Sequence, residues 1–390
     1  MKICIVSPGA SGLPIPPVCG GAVENLIDIY LKYNELKFHD TITIYSCTNS
    51  DAEAKVDEYK YAKFKYIATD TMKYKISQGL RYVLNKLPFF CLDNAYISQV
   101  EVDDDYDVIV VENRPDYGMH FTKKTTPVLL HLHNDIIDAT GNRYRIEGDT
   151  YDCIITVSEY IRNCVMKKLP DANVKTLYNG IDKDKFSPHR FCECDRELMR
   201  KKLGIKEDEK VLVFSGRINK EKGVKELILA FKQIYIKYNL KLVIVGSSIF
   251  GKTNMDSFTV ELQEIADECK DSIIFTGYID YEKIPLYYHM ADLIVIPSVW
   301  EDPSPLTVYE SLASGVPLIV SDSGGIPEIV QGSEAMIVKR GTDYVSALAE
   351  AIIRQIKKPF RFSVANVKSS GQFTVEKYCE KFHNIMESFK

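Results

Sequence analysis

Residues 301–317, Glu-Asp-Pro-Ser-Pro-Leu-Thr-Val-Tyr-Glu-Ser-Leu-Ala-Ser-Gly-Val-Pro, bring acids and a proline-opened helix together. The run Asp292–Pro297 leads into them as a strand. A helix is predicted from Pro305, with Ser304 as N-cap and Pro305 at the first helical position. Gly315 and Pro317 stop it. A helix that starts where a strand ends offers free backbone N–H groups to an anion, most plausibly phosphate. Glu310 rides on this helix and Asp302 precedes it by eight residues. N–H groups suit a diphosphate and carboxylates suit hydroxyls, which together suggest a nucleotide-sugar site.

Five other groupings could carry chemistry. Ser215-Gly216-Arg217 through Lys222-Gly223 follows a strand and precedes a helix, and places two cations on one loop. Arg as a planar fork and Lys as a point charge suit a diphosphate; a solvated basic loop is the alternative. The opening loop, Pro8-Gly-Ala-Ser-Gly12 through Gly20-Gly21, lets backbone approach a ligand, but is neither Gly-x-Gly-x-x-Gly nor a Walker A loop. His131 and His133 alternate toward one side of a strand. A metal there needs a third ligand that spacing does not supply. His133, at the strand's end, could instead bond a sugar or simply cap the strand. Asp103 to Asp107 precedes a strand, at the edge away from the ligand side, and reads as a solvated loop rather than a metal motif. Residues 73–90 mix Lys73, Lys75, Arg81 and Lys86 with Ile76, Leu80, Val83, Leu84, Leu87, Phe89 and Phe90. Such a basic amphipathic stretch fits an anionic membrane surface or a lipid-linked acceptor, or an ordinary half-buried helix.

The elements that must position these residues alternate short apolar strands with amphipathic helices, the pattern of parallel α/β sheets. Strands are predicted at Ile3–Val6, Thr41–Tyr45, Val108–Val111, Val128–His131, Ile154–Val157 and Val174–Tyr178. The second half repeats the pattern at Val211–Phe214, Lys241–Val245, Ser272–Phe275, Leu293–Ile296, Leu318–Val320 and Met336–Val338. The charge-dense stretch 183–209 reads as linker and start of a second domain. Two doubly wound sheets with a cleft between them follow, with ligands beyond the carboxyl ends of the strands. The last segment places Val375, Tyr378, Phe382, Ile385 and Phe389 at helical spacing.

At 390 residues the chain has room for two full cores. A net charge of −5 argues against nucleic-acid binding. Ten scattered cysteines, including Cys4, Cys47 and Cys153 inside apolar strands, read as free thiols of a reducing compartment. Cys192-x-Cys194 has no matching pair for a zinc site. Met1-Lys-Ile-Cys-Ile-Val-Ser reads as a strand rather than a signal peptide, and no apolar run approaches the ~18 residues of a membrane span. The expected location is cytoplasmic, with peripheral contact at the inner membrane face as a variant.

Three longer phrases tie these fragments together. Trp300-Glu-Asp-Pro through Glu310-Ser-Leu-Ala-Ser-Gly-Val-Pro, then Ser321-Asp-Ser-Gly-Gly-Ile-Pro-Glu-Ile-Val330, resembles the donor-site signature of the retaining glycosyltransferases of family 4. Ser215-Gly-Arg to Lys222-Gly223 is similar to that family's phosphate loop. Gly20-Gly21-Ala-Val-Glu24, Val157-Ser158-Glu-Tyr, and Asn179-Gly-Ile-Asp182 resemble further segments in the same order. The likeness spans about the whole chain and is nearest to bacterial polysaccharide and spore-coat-type members, including Glu112-Asn-Arg-Pro115 and His133-Asn134.

The resemblance implies a GT-B fold of two Rossmann-like domains. An acceptor-side domain would span 1–182 and a donor domain 210–372, with a helix at 373–390 crossing back to the first. It implies that Glu310 grips the ribose hydroxyls, and that Arg217 and Lys222 neutralise the diphosphate. Gly20 and Gly21 would face the diphosphate, and His133 the transferred sugar. Gly216, Ser304, Pro305 and the amides of Leu306 and Thr307 would line the donor. Tyr278 and Ile279 would lie near the base, and Asn113 and Arg114 near the acceptor. Family members usually carry Glu where this chain has Asp302, one methylene shorter. The implied reaction moves a sugar from a nucleoside diphosphate donor to a glycan or lipid-linked acceptor with retention, without metal or other cofactor. A nucleotide-sugar epimerase and a non-catalytic coat protein are the rivals.

Overall fold

The computed structural model describes the chain except residues 10–11, 19, 85–92, 103–104, 123–124, 138–149 and 248–256. Ala10 and Ser11 of the opening loop, Asp103 and Asp104, and Lys86, Leu87, Phe89 and Phe90 of the basic stretch lie outside the described residues. The chain divides into two compact units, one of Met1–Gly180 with Val375–Lys390, the other of Ile181–Thr374.

The first unit holds seven strands: β1 (Lys2–Val6), β2 (Thr41–Cys47), β3 (Ala62–Ile67), β4 (Val108–Glu112), β5 (Val128–Leu132), β6 (Cys153–Thr156) and β7 (Val174–Thr176). All pair in parallel, in the order β3-β2-β1-β4-β5-β6-β7. Every residue of β4 and β5 is buried, which is why both read as unbroken apolar runs. β3 was not expected. It forms an edge, where Lys63 and Lys65 alternate outward between half-buried Phe64 and Tyr66, and that alternation hides the strand in sequence while protecting the edge.

The final helix, Val375–Glu387, belongs to this unit. It buries Tyr378, Cys379, Phe382, Ile385 and Met386, each large side chain contributing about 1.5–3 kcal/mol of transfer free energy. Phe382 meets Tyr30 of the helix Ala22–Leu36 edge-on, ring centroids 5.0 Å apart.

The second unit has six strands: β8 (Lys210–Ser215), β9 (Leu240–Val245), β10 (Ile273–Gly277), β11 (Leu293–Ile296), β12 (Leu318–Ser321) and β13 (Met336–Val338). Their order is β10-β9-β8-β11-β12-β13, again all parallel. Each sheet thus reverses direction once, between β1 and β4 in one and between β8 and β11 in the other. Such switch points leave a crevice at the carboxyl ends of the strands.

The stretch 183–209 is folded into the second unit, not strung out as linker. Its helix Glu193–Lys202 carries Arg196, which donates to the carbonyls of His289 and Ala291 at 2.8 and 2.9 Å and to Asp292 at 2.8 Å. Arg200 adds bonds to Met290 and Asp292, both at 2.9 Å. The charge that suggested solvent is spent on a buried network at the start of β11. Cys192 and Cys194, the one tight pair in a cysteine usage that reads as reducing, form a disulfide with their Cα atoms 5.3 Å apart. Cys4, Cys47 and Cys153 are buried free thiols. Among the described residues no helix is long and apolar enough to cross a membrane.

Candidate functional site

In the second unit, three chain segments meet at the β8/β11 switch point. The loop after β8 begins with Gly216, at φ 148°, followed by exposed Arg217. It closes through Asn219, whose side chain accepts from the Lys222 N–H at 3.1 Å. Gly223 then turns into the helix Val224–Lys232 at φ 70°; a Cβ there would stand 2.0 Å from the Pro297 carbonyl oxygen. Left-handed backbone and close approach to the β11 loop together require glycine.

The loop after β11 holds the acids. Asp302 is buried, 3% exposed. Its Oδ2 accepts from Lys222 Nζ at 2.5 Å and from Ser298 Oγ at 3.2 Å. Asp302 is therefore engaged with the loop cation. Glu301 is turned to the surface, where it accepts from Arg340 at 2.6 Å and from the Gly324 N–H at 2.7 Å.

The helix runs Leu306–Ser314, with Pro305 as N-cap. This moves the predicted start by one residue, because Pro305 has ψ 122°, an extended value. Ser304 does not cap it; its hydroxyl pairs with Tyr309 Oη at 2.7 Å. No side chain caps this helix start, so the first-turn amides of Leu306 and Thr307 keep the dipole's positive end free of a built-in acceptor.

Glu310, one turn inward, is 4% exposed. Tyr288 Oη donates to its Oε2 at 3.2 Å, and Tyr281 also hydrogen-bonds the carboxylate. Burial outweighs both donors and pushes its pKa up to about 7. Tyr288 bonds Ser215 as well, tying Glu310 to the end of β8. Lys185 lies 4.0 Å above the Tyr281 ring. Sequence reasoning missed Tyr281, Tyr288 and Lys185: Tyr288 sits in an apolar helical pattern, Tyr281 in a polar turn, and Lys185 in the stretch taken for linker. Exposed Tyr278 and half-buried Ile279 follow β10 at the same carboxyl edge, without contacting these residues directly in any described bond.

In the first unit, Gly20 and Gly21 stand at φ 89° and 114°, and Gly21 is the N-cap of helix Ala22–Leu36. The Glu24 carboxylate covers Gly21: a Cβ added there would meet Glu24 Oε2 at 2.2 Å. Burial, with Glu112 nearby, raises Glu24 to about 7.

Glu112 ends β4 beside the end of β5. Its Oε2 is 3.0 Å from His133 Nε2 and 3.1 Å from His131 Nδ1. This is the third donor that spacing alone did not supply; donor atoms of the three lie within 4.8 Å of one another. Glu112 hydrogen-bonds both rings, while His131 Nε2 has no hydrogen-bond partner among the described residues. Burial alone would raise Glu112, but the two imidazoles outweigh it and hold it at about 2. Burial and the neighbouring His131 lower His133 to about 4, against the pull of Glu112. Glu112 was noted in sequence only as part of a family phrase, hidden at the end of an apolar run.

Asn113, expected near an acceptor, accepts the His133 N–H on its side chain at 3.0 Å. Arg114 is engaged by Asp116 at 2.6 and 2.9 Å and lies 4.5 Å from the Tyr117 ring centroid. Asp105 and Asp107 lie at the opposite edge, bound to Lys2 at 2.5 and 2.8 Å, as a solvated loop does.

The helix Met72–Leu84 packs Tyr74 against the apolar core, and Ser77, Gln78, Arg81 and Leu84 are half-buried with it, Gln78 accepting the Ala95 N–H at 2.9 Å. Met72, Ile76, Leu80 and Val83 are 73%, 63%, 58% and 59% exposed.

The family model for glycosyl transferases group 1 matches residues 195–369. The putative glycosyltransferase YtcC of Bacillus subtilis (strain 168) is 30% identical over 353 residues, covering 88% of this chain and 80% of that protein. Spore coat protein SA of the same organism is 27% identical over 342 residues, covering 85% and 83%. Among solved structures, Anabaena Alr3699/HepE in complex with UDP-glucose aligns over 100% of both chains with a TM-score of 0.70 at 17% identity. That likeness gives the fold, GT-B.

Proposed function

Because the chain belongs to the group 1 glycosyl transferases, we propose that it moves a sugar from a nucleoside diphosphate donor to an acceptor hydroxyl with retention, as a family 4 enzyme. The observation that carries this reading is the uncapped helix start at Leu306, which follows the loop whose Asp302 holds Lys222 and lies one turn before buried Glu310. A diphosphate at that helix start would gain charge-assisted bonds.

The physical problem is departure of a diphosphate while positive charge grows on the sugar. Arg217, Lys222 and the amides of Leu306 and Thr307 stabilise the departing anion. Asp302 is then a positioning residue that holds Lys222 in place. Glu310, oriented by Tyr281 and Tyr288, accepts from the ribose hydroxyls. The C–O bond to the diphosphate breaks, the acceptor oxygen bonds the anomeric carbon on the same face, and its proton passes to the leaving phosphate. The protein supplies no nucleophile, and the cations do the work a metal would do, so EDTA leaves the rate unchanged.

UDP-glucose is the first donor to try, since HepE is seen with it. A proton NMR time course of donor with acceptor should show nucleoside diphosphate release and an axial or equatorial linkage matching the donor. Conversion of donor to an epimer without an acceptor sinks the transferase reading in favour of the epimerase. The relative called a spore coat protein keeps a non-catalytic coat role as a second reading; complete absence of donor hydrolysis or transfer across a donor panel would support it.

The acceptor is a cell-surface glycan or a lipid-linked saccharide. The outward apolar stripe Met72, Ile76, Leu80 and Val83, with Lys73 and Lys75 and no acid between Met72 and Leu84, suits an anionic bilayer at the cytoplasmic face.

A further inference from the structure

Glu112, His131 and His133 form one buried cluster, 1%, 0% and 8% exposed. A carboxylate that deep in a protein is costly unless its oxygens receive hydrogen bonds. The groups facing it at bonding distance are His133 Nε2 and His131 Nδ1, at 3.0 and 3.1 Å. Both nitrogens must therefore carry hydrogen. A neutral imidazole that is protonated on Nε2 is bare on Nδ1.

We propose that Glu112 is a positioning residue that fixes His133 in the Nε2–H tautomer, so that Nδ1 presents a lone pair to a ligand hydroxyl. The dipeptide Glu112-Asn113 holds the residue at both ends. Glu112 takes the ring, while the Asn113 side chain takes the His133 main-chain N–H at 3.0 Å. Asn113 itself adopts left-handed φ 52°, and its N–H donates to the His131 carbonyl at 2.7 Å. His131 also bonds Glu112; among the described residues its own Nε2 is buried without a hydrogen-bond partner, and the Phe382 ring lies 5.3 Å away. His133 is the most exposed of the three, at 8%.

The charged and titratable groups around His133 are Glu112 from β4, His131 from β5, and, beyond Glu112, Glu24 from the helix Ala22–Leu36 and Tyr378 from the final helix. Together they present anionic or neutral neighbours, and His133 stays neutral from pH 6 to 8 because burial opposes its charging. A neutral ring with a bare Nδ1 accepts a hydrogen bond and cannot donate one from that atom. The ligand group it selects is a hydroxyl or amide N–H, not a carbonyl or phosphate oxygen. Only this last step rests on the glycosyl-transfer reading; the tautomer does not.

The test is long-range proton–nitrogen NMR of the imidazoles in the full-length 15N-labelled chain at pH 7, with His133→Asn identifying the His133 signals. The expected pattern is the Nε2–H tautomer in the wild type and a mixed or Nδ1–H pattern in Glu112→Leu, which removes the acceptor from both rings. The same variant should lower kcat about tenfold or more with little change in donor KM. An Nδ1–H tautomer or a cationic ring in the wild type overturns the proposal, and this measurement needs no variant to fold. So does a stoichiometric metal found by elemental analysis, since a metal on Nε2 would displace that proton. If the tautomer is as stated but no transfer occurs, the functional reading fails and the positioning role stands.

Discussion

Replacing Glu310 by Gln should make the ligand-free protein more stable at alkaline pH while destroying nucleotide binding. Burial raises the Glu310 carboxyl from its ordinary 4.5 to about 7. A raised carboxyl favours the folded state fully below the unfolded value, and that favour is lost as pH rises toward the folded value. Complete ionisation thus costs the fold about 3 kcal/mol, of which about 2 kcal/mol accrues between pH 5.5 and 8. Glutamine keeps the bonds from Tyr281 and Tyr288 and never ionises. The difference in stability between variant and wild type should therefore swing by about 2 kcal/mol in the variant's favour over that range. For a unit of this size that is a Tm shift of about 4–8 °C. The assay is a scanning calorimetry series from pH 5.5 to 8 on both proteins, reading the transition of the second unit. Comparison with wild type cancels the parallel contribution of Glu24, also raised to about 7. A stability gap that stays constant with pH would refute the idea that Glu310 is held in place at the expense of the fold. The trade suits a group whose partner is a ligand.

Other outcomes are equally concrete. Lys222→Ala should lower stability by up to about 3 kcal/mol, because Asp302 stays buried and loses its cation; adding Asp302→Asn should restore the urea midpoint but not donor turnover. Arg217→Ala, at an exposed position, should cut donor turnover by orders of magnitude while the chain stays folded. Gly223→Ala should destabilise by about 2–4 kcal/mol, since a left-handed turn and the Pro297 carbonyl both exclude a side chain; circular dichroism melts would show it. Leu80→Glu should weaken sedimentation with anionic vesicles, while activity on a soluble acceptor persists; equal binding by both proteins would remove the bilayer assignment.

The sheets were legible because buried parallel strands leave an apolar run that few helices imitate, as at Val108–Val111 and Leu293–Ile296. β3 was not, because an edge strand with Lys63 and Lys65 outward looks polar. The stretch 183–209 misled for the opposite reason: Arg196 and Arg200 are buried against Asp292, and charge in sequence does not say where charge is spent. The loop cations, Glu310 and His133 stood out by type and position at carboxyl ends of strands. Their holders did not. Glu112, Tyr281 and Tyr288 act through other side chains, and such partners are set by strand register and helix packing rather than by spacing. Asp302 shows the limit most plainly: its position in the motif suggested a sugar contact, while its geometry ties it to Lys222.

The central claim is that the β8/β11 switch point binds a nucleoside diphosphate through Glu310 and the two loop cations. Isothermal titration of the wild-type chain with uridine and guanosine diphosphates, alongside Glu310→Gln and Arg217→Ala, addresses it directly. Saturable one-to-one binding of one diphosphate, weakened at least tenfold in each variant, is the predicted result. No binding by the wild type, or equal binding by all three proteins, would contradict it.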